Sequence, residues 1–539
     1  MLGRSQEAAG DVPAAIRTWS EHVRRFPEGA HRTEVLEGLA RLDTQRSARW
    51  VDTLLAQPGA PGTRTGTRTG PGSGASGEAG ARALLGLAER AAAAGETETA
   101  VQRYGEFLER FPTHGAASRA RYGRAWGLYE LGRPAQAAAG LTEVAADRAA
   151  EESTRLSALE LSIWAWSEAG DPDRAFEAYR SFARVAPDDA RLWAAAQVVR
   201  KALADADRSA DAGRVIEDFL GRVQTPEPAL EALIESTWWA LDAGGVEAAE
   251  AAARGGVKIA LRSKLESPRL GEACFFVAER RFEQSELVAA GELYTLATTW
   301  GDTEVRPRAF YKLGFCELGR ERWREATEAF RALTEAYPRH ELYGEALFLA
   351  GESEFRAERF AGAEELLARL VREQPKHEVV PKALFRRGVA LGRLERWREC
   401  AEVLGQLNRR APGFAHGAEA ELWRGRALAS LGDRRGARAA FERVIALDEG
   451  VLSARARLGL GHGEFDAGEF DAALSQFLRV VVLYASGEEV AEALLFSGRC
   501  LEELGNQERA REQYRQVLEE HPESASARGA RERLAGLGN

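Results

Sequence analysis

The sequence has few cysteines and no apolar run of membrane-spanning length. Four cysteines among 539 residues cannot form the disulfide framework of a small secreted fold. The longest apolar stretch, residues 477–485, is interrupted by Arg479. A bilayer-spanning helix needs about 20 mainly apolar residues, so none is predicted. The N-terminus also lacks the apolar stretch of a secretory signal.

An excess of positive charge is absent as well. The formal net charge is −10, whereas nucleic-acid binding needs clustered Lys and Arg side chains against the phosphates. The charge balance therefore argues against a nucleic-acid-binding protein. Hydrophobic residues make up 45% of the chain and charged residues 29%, a composition typical of a soluble, folded protein and not of a disordered one.

What the sequence does contain is a repeat of 36 or 37 residues. A glycine recurs at this spacing, at Gly314, Gly351, Gly388, Gly425, Gly461 and Gly498. A small residue follows each glycine by twelve positions: Ala326, Ala363, Cys400, Ala437, Ala473 and Ala510. A large apolar residue comes four positions later: Phe330, Leu367, Leu404, Phe441, Phe477 and Tyr514. Four of the six repeats then carry a proline: Pro338, Pro375, Pro412 and Pro522.

Each of these positions has a physical reason in a pair of packed helices. Small residues let two helices approach closely, and the large apolar residue fills the space between neighbouring pairs. Proline ends the second helix, because it lacks an N–H donor and clashes with the preceding turn. Apolar residues also recur at spacings of three and four, as at Ala309, Leu313 and Cys316. The pattern predicts helix–turn–helix repeats without strands.

Over residues 307–524 this pattern resembles the tetratricopeptide repeat family. The resemblance implies an all-α, right-handed superhelical solenoid, here of eleven to thirteen helical pairs. The family's usual period is about 34 residues, and the extra residues fall after the proline, as in 338–346. That longer turn resembles the repeats of bacterial envelope proteins, namely the Tol–Pal-associated periplasmic coordinator and the outer-membrane-assembly lipoprotein.

The repeats predict four segments along the chain. Residues 1–56 are predicted to form partial N-terminal repeat-like helices, and 57–80 a flexible linker rich in Gly, Thr, Ser and Pro. Residues 81–265 contain degenerate copies, with the least regular stretch at 190–265. Residues 266–539 contain the regular array and a short closing helix at 524–535. Because Met1 aligns inside the first helix of a repeat, we expect either that this chain is a fragment of a longer protein or that its start is mis-assigned.

No catalytic, metal or cofactor site is predicted. Cys274, Cys316, Cys400 and Cys500 contain no Cys-x-x-Cys pair and fit packing positions of the repeat. The histidines show no metal-ligand spacing. The glycine-rich segment 459–463 follows no predicted strand, which argues against a nucleotide-binding loop.

The predicted binding site is a surface. The resemblance implies that the first helix of each pair lines the concave face, with its fifth, ninth and twelfth positions in the groove. In this sequence these positions include Tyr311, Phe315, Phe348, Glu352, Phe355, Phe385, Arg426, His462, Phe465 and Arg499. Aromatic and Arg side chains are typical interface anchors. The alternative interpretation is that several of the aromatic side chains pack within or between repeats.

We therefore predict a non-enzymatic scaffold or adaptor that holds an extended segment or a helix of a partner protein, in a bacterial cell-envelope complex. Two alternatives stay open: a cytoplasmic scaffold in regulation or secretion, and the non-catalytic arm of a larger enzyme. The predicted location is the periplasm if a signal precedes this sequence, and otherwise the cytoplasm. Self-association also stays open, because an uncapped first repeat would expose apolar surface. The carboxylate clamp of eukaryotic co-chaperones is not expected, because none of the three Asn residues takes a groove position.

Overall fold

The computed structural model describes residues 1–56, 75–484 and 487–538. Within these ranges every regular element is an α-helix, and no strand forms. The helices of the described residues are α1 (Leu2–Ala8), α2 (Val12–Arg25), α3 (Arg32–Leu42), α4 (Ser47–Leu55), α5 (Ala75–Ala93), α6 (Thr97–Arg110), α7 (Ala117–Glu130), α8 (Pro134–Ala146), α9 (Glu152–Glu168), α10 (Pro172–Val185), α11 (Leu192–Asp205), α12 (Ser209–Leu220), α13 (Pro226–Asp242), α14 (Val246–Ser263), α15 (Pro268–Glu283), α16 (Leu287–Trp300), α17 (Val305–Gly319), α18 (Trp323–Ala336), α19 (Tyr343–Arg356), α20 (Phe360–Glu373), α21 (Val380–Arg393), α22 (Trp397–Arg410), α23 (Gly417–Ser430), α24 (Arg434–Leu447), α25 (Val451–Asp466), α26 (Phe470–Leu483), α27 (Glu488–Glu503), α28 (Gln507–Glu520) and α29 (Ala525–Gly536). The predicted all-α solenoid of helix–turn–helix repeats is confirmed.

The chain divides into two compact units. Unit 1 comprises Met1–Trp239 and Gly255–Leu265, and unit 2 comprises Ala240–Arg254 and Glu266–Asn539. Successive pairs stack in unit 1 from α1/α2 to α11/α12, and in unit 2 from α15/α16 to α27/α28, with α29 packed on the end. Helices contact mainly their neighbours along the chain, so stability comes from stacking and not from one central core. The four predicted segment boundaries stay predictions.

The predicted linker at 57–80 lies only partly within the described residues. Residues 57–74 fall outside them, whereas α5 already begins at Ala75. Ala79 is buried in the same core as Leu55 of α4, and a Cβ at Gly80 would lie 2.9 Å from the Leu55 side chain. The small residues at the end of this segment therefore pack against a helix, although their composition is typical of a linker.

The recurring glycines of unit 2 lie where a large side chain from the second helix meets the first. A Cβ on Gly425 would approach Cε1 of Phe441 to 2.6 Å, and one on Gly461 would approach Cε1 of Phe477 to the same distance. Phe441 also lies against Gly459 of the next pair, where a Cβ would come within 2.6 Å of the ring. One ring therefore fills the space between two helical pairs, as the repeat pattern predicts.

We expect Gly461→Ala to destabilise the protein by about 1–3 kcal/mol, because the added methyl group overpacks the contact with Phe477. The control is Gly463→Ala in the same helix, where nothing lies within 4 Å of the added Cβ. The control should be neutral or stabilise the helix by up to about 1 kcal/mol. Urea unfolding followed by circular dichroism measures both changes. Equal midpoints for the two variants would contradict the packing role of Gly461.

Candidate functional site

The first helices of successive pairs in unit 2 form one continuous face. α19 contacts α21, α21 contacts α23, α23 contacts α25, and α25 contacts α27. Among the described residues, the second helices α18 to α28 show no comparable approach to one another. The stack therefore curves toward its first helices. We call the surface formed by α17, α19, α21, α23, α25 and α27 the first-helix face.

All ten predicted binding residues lie on these six helices. Arg426 is exposed, and eight others keep part of their surface accessible: Tyr311, Phe315, Phe348, Glu352, Phe355, His462, Phe465 and Arg499. Phe385 is different, because only 3% of it is exposed. Its ring packs at 5.6 Å from Phe414 and stacks on His416 at 5.4 Å, both in the turn before α23. Phe385 therefore packs between repeats and is not accessible to a partner in this structure.

Tyr311 and Phe315 of α17 are partly exposed on the first-helix face and also contact the buried core. Tyr311 and Phe315 have ring centroids 5.0 Å apart, and each contacts the buried Phe330 of α18 at 6.0 Å. Burial raises the pKa of the Tyr311 hydroxyl, and nearby Glu345 of α19 raises it further. Phe348 also packs partly against this core. These rings are therefore packed against the core and only partly exposed.

Polar contacts join neighbouring first helices across the face. Arg386 Nε of α21 donates to Glu352 Oε2 of α19 at 2.7 Å. The same guanidinium lies 5.1 Å from the centre of the Phe355 ring, a cation–π arrangement. Between α25 and α27, His462 Nε2 lies 2.8 Å from Glu492 Oε1. These contacts orient their side chains before any partner arrives.

The end of the face carries a cluster of aromatic and cationic groups. Arg499 of α27 lies 4.8 Å from the Phe465 ring centre and 4.6 Å from that of Phe496. The His462 and Phe496 rings meet edge to face at 4.3 Å. Of this cluster, Phe496 is missing from the predicted site.

Trp423 of α23 is a second residue that the sequence analysis misses. The guanidinium of Arg426 lies 5.4 Å from the centre of its ring. Trp423 and Phe496 share one position, two residues before the recurring glycine, whereas the resemblance directs attention to the fifth, ninth and twelfth positions. Comparing large aromatic residues at every position of the repeat would have found both.

The four cysteines are buried in the helical packing. Burial raises the pKa of each thiol to about 12, so the nucleophilic thiolate is scarce at neutral pH. In the part of the chain that the structure describes, no group of three His, Cys, Asp or Glu side chains is arranged to hold a metal ion. Within the same described residues, no helix combines the length and the hydropathy that a membrane span requires.

Comparison with family models identifies the repeats. A tetratricopeptide repeat model matches residues 311–378, 424–482 and 458–525, and a second model of the same repeat matches 82–114. The chain therefore contains tetratricopeptide repeats in both units. A search of curated proteins gives no match. The finer resemblance to the Tol–Pal-associated coordinator and the outer-membrane-assembly lipoprotein is not confirmed and stays a prediction.

Several solved structures have similar helical stacks. PilW, described as a type IV pilus biogenesis factor, is 20% identical, covers 41% of this chain and 96% of its own, and has a TM-score of 0.33. PilF of Pseudomonas aeruginosa is 16% identical, with 43% and 97% coverage and a TM-score of 0.33. YrrB, described as having an unusual peptide-binding site, is 19% identical, with 38% and 99% coverage and a TM-score of 0.31. These TM-scores are too low to support a functional comparison.

We expect all four thiols of the native chain to resist an aromatic disulfide reagent at neutral pH. Burial blocks access to each sulfur and keeps it protonated. The chain unfolded in guanidinium serves as the control and should release four equivalents of chromophore. Rapid reaction of any thiol in the folded protein would contradict the packing role that we assign to the cysteines.

Proposed function

We propose that this chain is a non-enzymatic scaffold that binds a segment of a partner protein along the first-helix face of unit 2. Its tetratricopeptide repeats support a role in protein–protein interaction. The observation that carries the proposal is the set of partly exposed aromatic and Arg side chains on successive first helices, held in place by contacts such as Arg386 with Glu352.

The energetics of binding favour this face. Rings such as Phe355 and Phe465 are already packed at one edge, against Phe360 and Phe470 respectively, with centroids 5.3 Å apart in each pair. A partner that covers their remaining surface gains apolar burial and loses little side-chain entropy. Such fixed aromatic side chains are typical of the few residues that carry most of the binding energy.

We also propose that the complex belongs to a bacterial cell envelope. The support is the longer turn between repeats, which resembles that of envelope proteins. Fractionation of the native cells, followed by detection of this chain with an antibody, tests the location. Recovery in the periplasmic or membrane fraction supports the proposal, and recovery in the cytoplasm alone favours the cytoplasmic scaffold.

The binding face is tested by affinity capture with the full chain as bait, read by mass spectrometry. The test variant combines Phe355→Ala with Phe465→Ala. We expect it to lose a partner that the wild-type chain recovers, because each anchor of this kind contributes about 2 kcal/mol or more.

The control bait is Phe26→Ala, which removes a ring that is 54% exposed after α2 in unit 1. It should recover the partner at the wild-type level. Circular dichroism checks that both variants keep their helices. If the double variant remains folded and recovers the same proteins as the wild type, the first-helix face is not the binding site.

A further inference from the structure

The second helices of unit 2 form the surface opposite the first-helix face, and α26 carries an exposed apolar row on this surface. Leu474, Leu478 and Val482 follow one another at four-residue spacing and therefore lie along one side of the helix. Val482 is 80% exposed, Leu478 is 38% exposed, and Leu474 is partly exposed. Together with the exposed Leu483 they line a groove of about 660 Å³. We call Leu474, Leu478 and Val482 the α26 row.

The α26 row has no equivalent in the other second helices of the regular array. Its three positions follow the recurring small residue of the repeat by one, five and nine residues. In each of α18, α20, α22, α24 and α28 these positions carry at least one charged residue and no Leu, Ile, Val, Met or aromatic residue: Thr327, Arg331 and Glu335; Glu364, Ala368 and Arg372; Ala401, Gly405 and Arg409; Arg438, Glu442 and Ala446; Arg511, Arg515 and Glu519. Contiguous apolar surface on one helix, bordered by charged residues, is typical of an interaction site.

Two charged side chains lie beside the α26 row. Asp471 and Arg479 are exposed on α26, and both line the groove. Among the described residues neither of them forms an ion pair, so both can pair with a second molecule. Ser475 is also exposed and lies midway between them, four residues from each. Arg457 of α25 is the third charged group of the groove, and it is partly buried whereas Asp471 and Arg479 are at the surface.

The order of these groups along α26 is self-complementary. When two copies of the helix pack antiparallel about a two-fold axis at Ser475, Asp471 of each copy lies opposite Arg479 of the other. The α26 rows of both copies then lie on the same side of the contact and join into one apolar strip. The small Ser475 at the axis lets the two helices approach closely. A parallel arrangement would instead place like charges opposite each other.

We propose that unit 2 associates with a second copy of this chain through antiparallel packing of α26 against α26. The inference goes beyond the proposed function, because the partner segment binds the first helices and the second copy binds a second helix. A second copy fits better than an unrelated helix, because α26 itself supplies both the apolar strip and the matching charges. One pair of helices buries less surface than a standard interface, so we expect a dissociation constant in the micromolar range.

Sedimentation equilibrium of the full chain at concentrations of about 1 to 100 µM tests the proposal. We expect the average mass to rise with concentration toward that of a dimer. Val482→Glu should raise the dissociation constant at least tenfold, because it places a charge in the apolar strip. The matched control is Val288→Glu, which changes a 55% exposed valine on α16 and should leave the dimer unaffected. Because both valines are exposed, both variants should keep the wild-type circular dichroism spectrum.

Exchange of the two charges tests the antiparallel register. Asp471→Arg alone and Arg479→Asp alone each place like charges opposite each other, so each should raise the dissociation constant at least tenfold. The double variant Asp471→Arg/Arg479→Asp should restore the wild-type value. An equimolar mixture of the two single variants should dimerise as well, since one copy then carries both positive charges and the other both negative charges.

Three outcomes would overturn the inference: a monomer at every concentration up to about 100 µM, a dimer that Val482→Glu does not weaken, or no recovery in the double charge variant. Use of Val482→Glu as bait in the capture experiment separates this inference from the proposed function. This bait should still recover the partner that the Phe355 and Phe465 variant loses. Loss of that partner with Val482→Glu would mean that the partner, and not a second copy, covers α26.

Discussion

The contact between a helix glycine and a large side chain of the second helix sets the geometry of unit 2. Gly425 with Phe441 and Gly461 with Phe477 leave no room for a methyl group on the first helix. Each large side chain can therefore lie directly against the backbone of its partner helix. Repetition of this contact stacks the pairs in register, and in the described part of unit 2 the stack curves so that first helices approach one another more closely than second helices do.

The first-helix face follows from that geometry. The recurring glycine of each first helix lies against the second helix of the same pair. Other side chains of the first helix then reach the neighbouring first helices. There they form links such as Arg386 with Glu352 and His462 with Glu492. Each link lowers the number of unpaired charges and fixes the side chains involved.

The sequence predicts the parts of the structure that repeat and misses those that depend on irregular neighbours. The spacing of Gly461 and Phe477 is enough to predict their contact. Burial of Phe385 depends on Phe414 and His416 in one particular turn, which repeat alignment does not reveal.

Two further features depend on context in the same way. The Trp423 ring fits in its position because Gly392 of the preceding repeat has no side chain there. The turns at Glu358 and Glu395 adopt φ values of 58° and 56°, whereas the last three repeats use glycine for such a backbone conformation, as at Gly432 with 78°. Tertiary packing therefore decides the position of Trp423, and the repeat pattern alone does not predict a positive φ at a Glu.

Hydroxyl-radical footprinting of the full chain, with and without its captured partner, tests the central claim most directly. It measures the accessibility of individual aromatic side chains. The account predicts that the partner protects Phe355, Trp423 and Phe465, while Trp126 and Trp164 of unit 1, which are 44% and 40% exposed, react as before. Protection of the unit 1 tryptophans with no change at the first-helix face of unit 2 would contradict it.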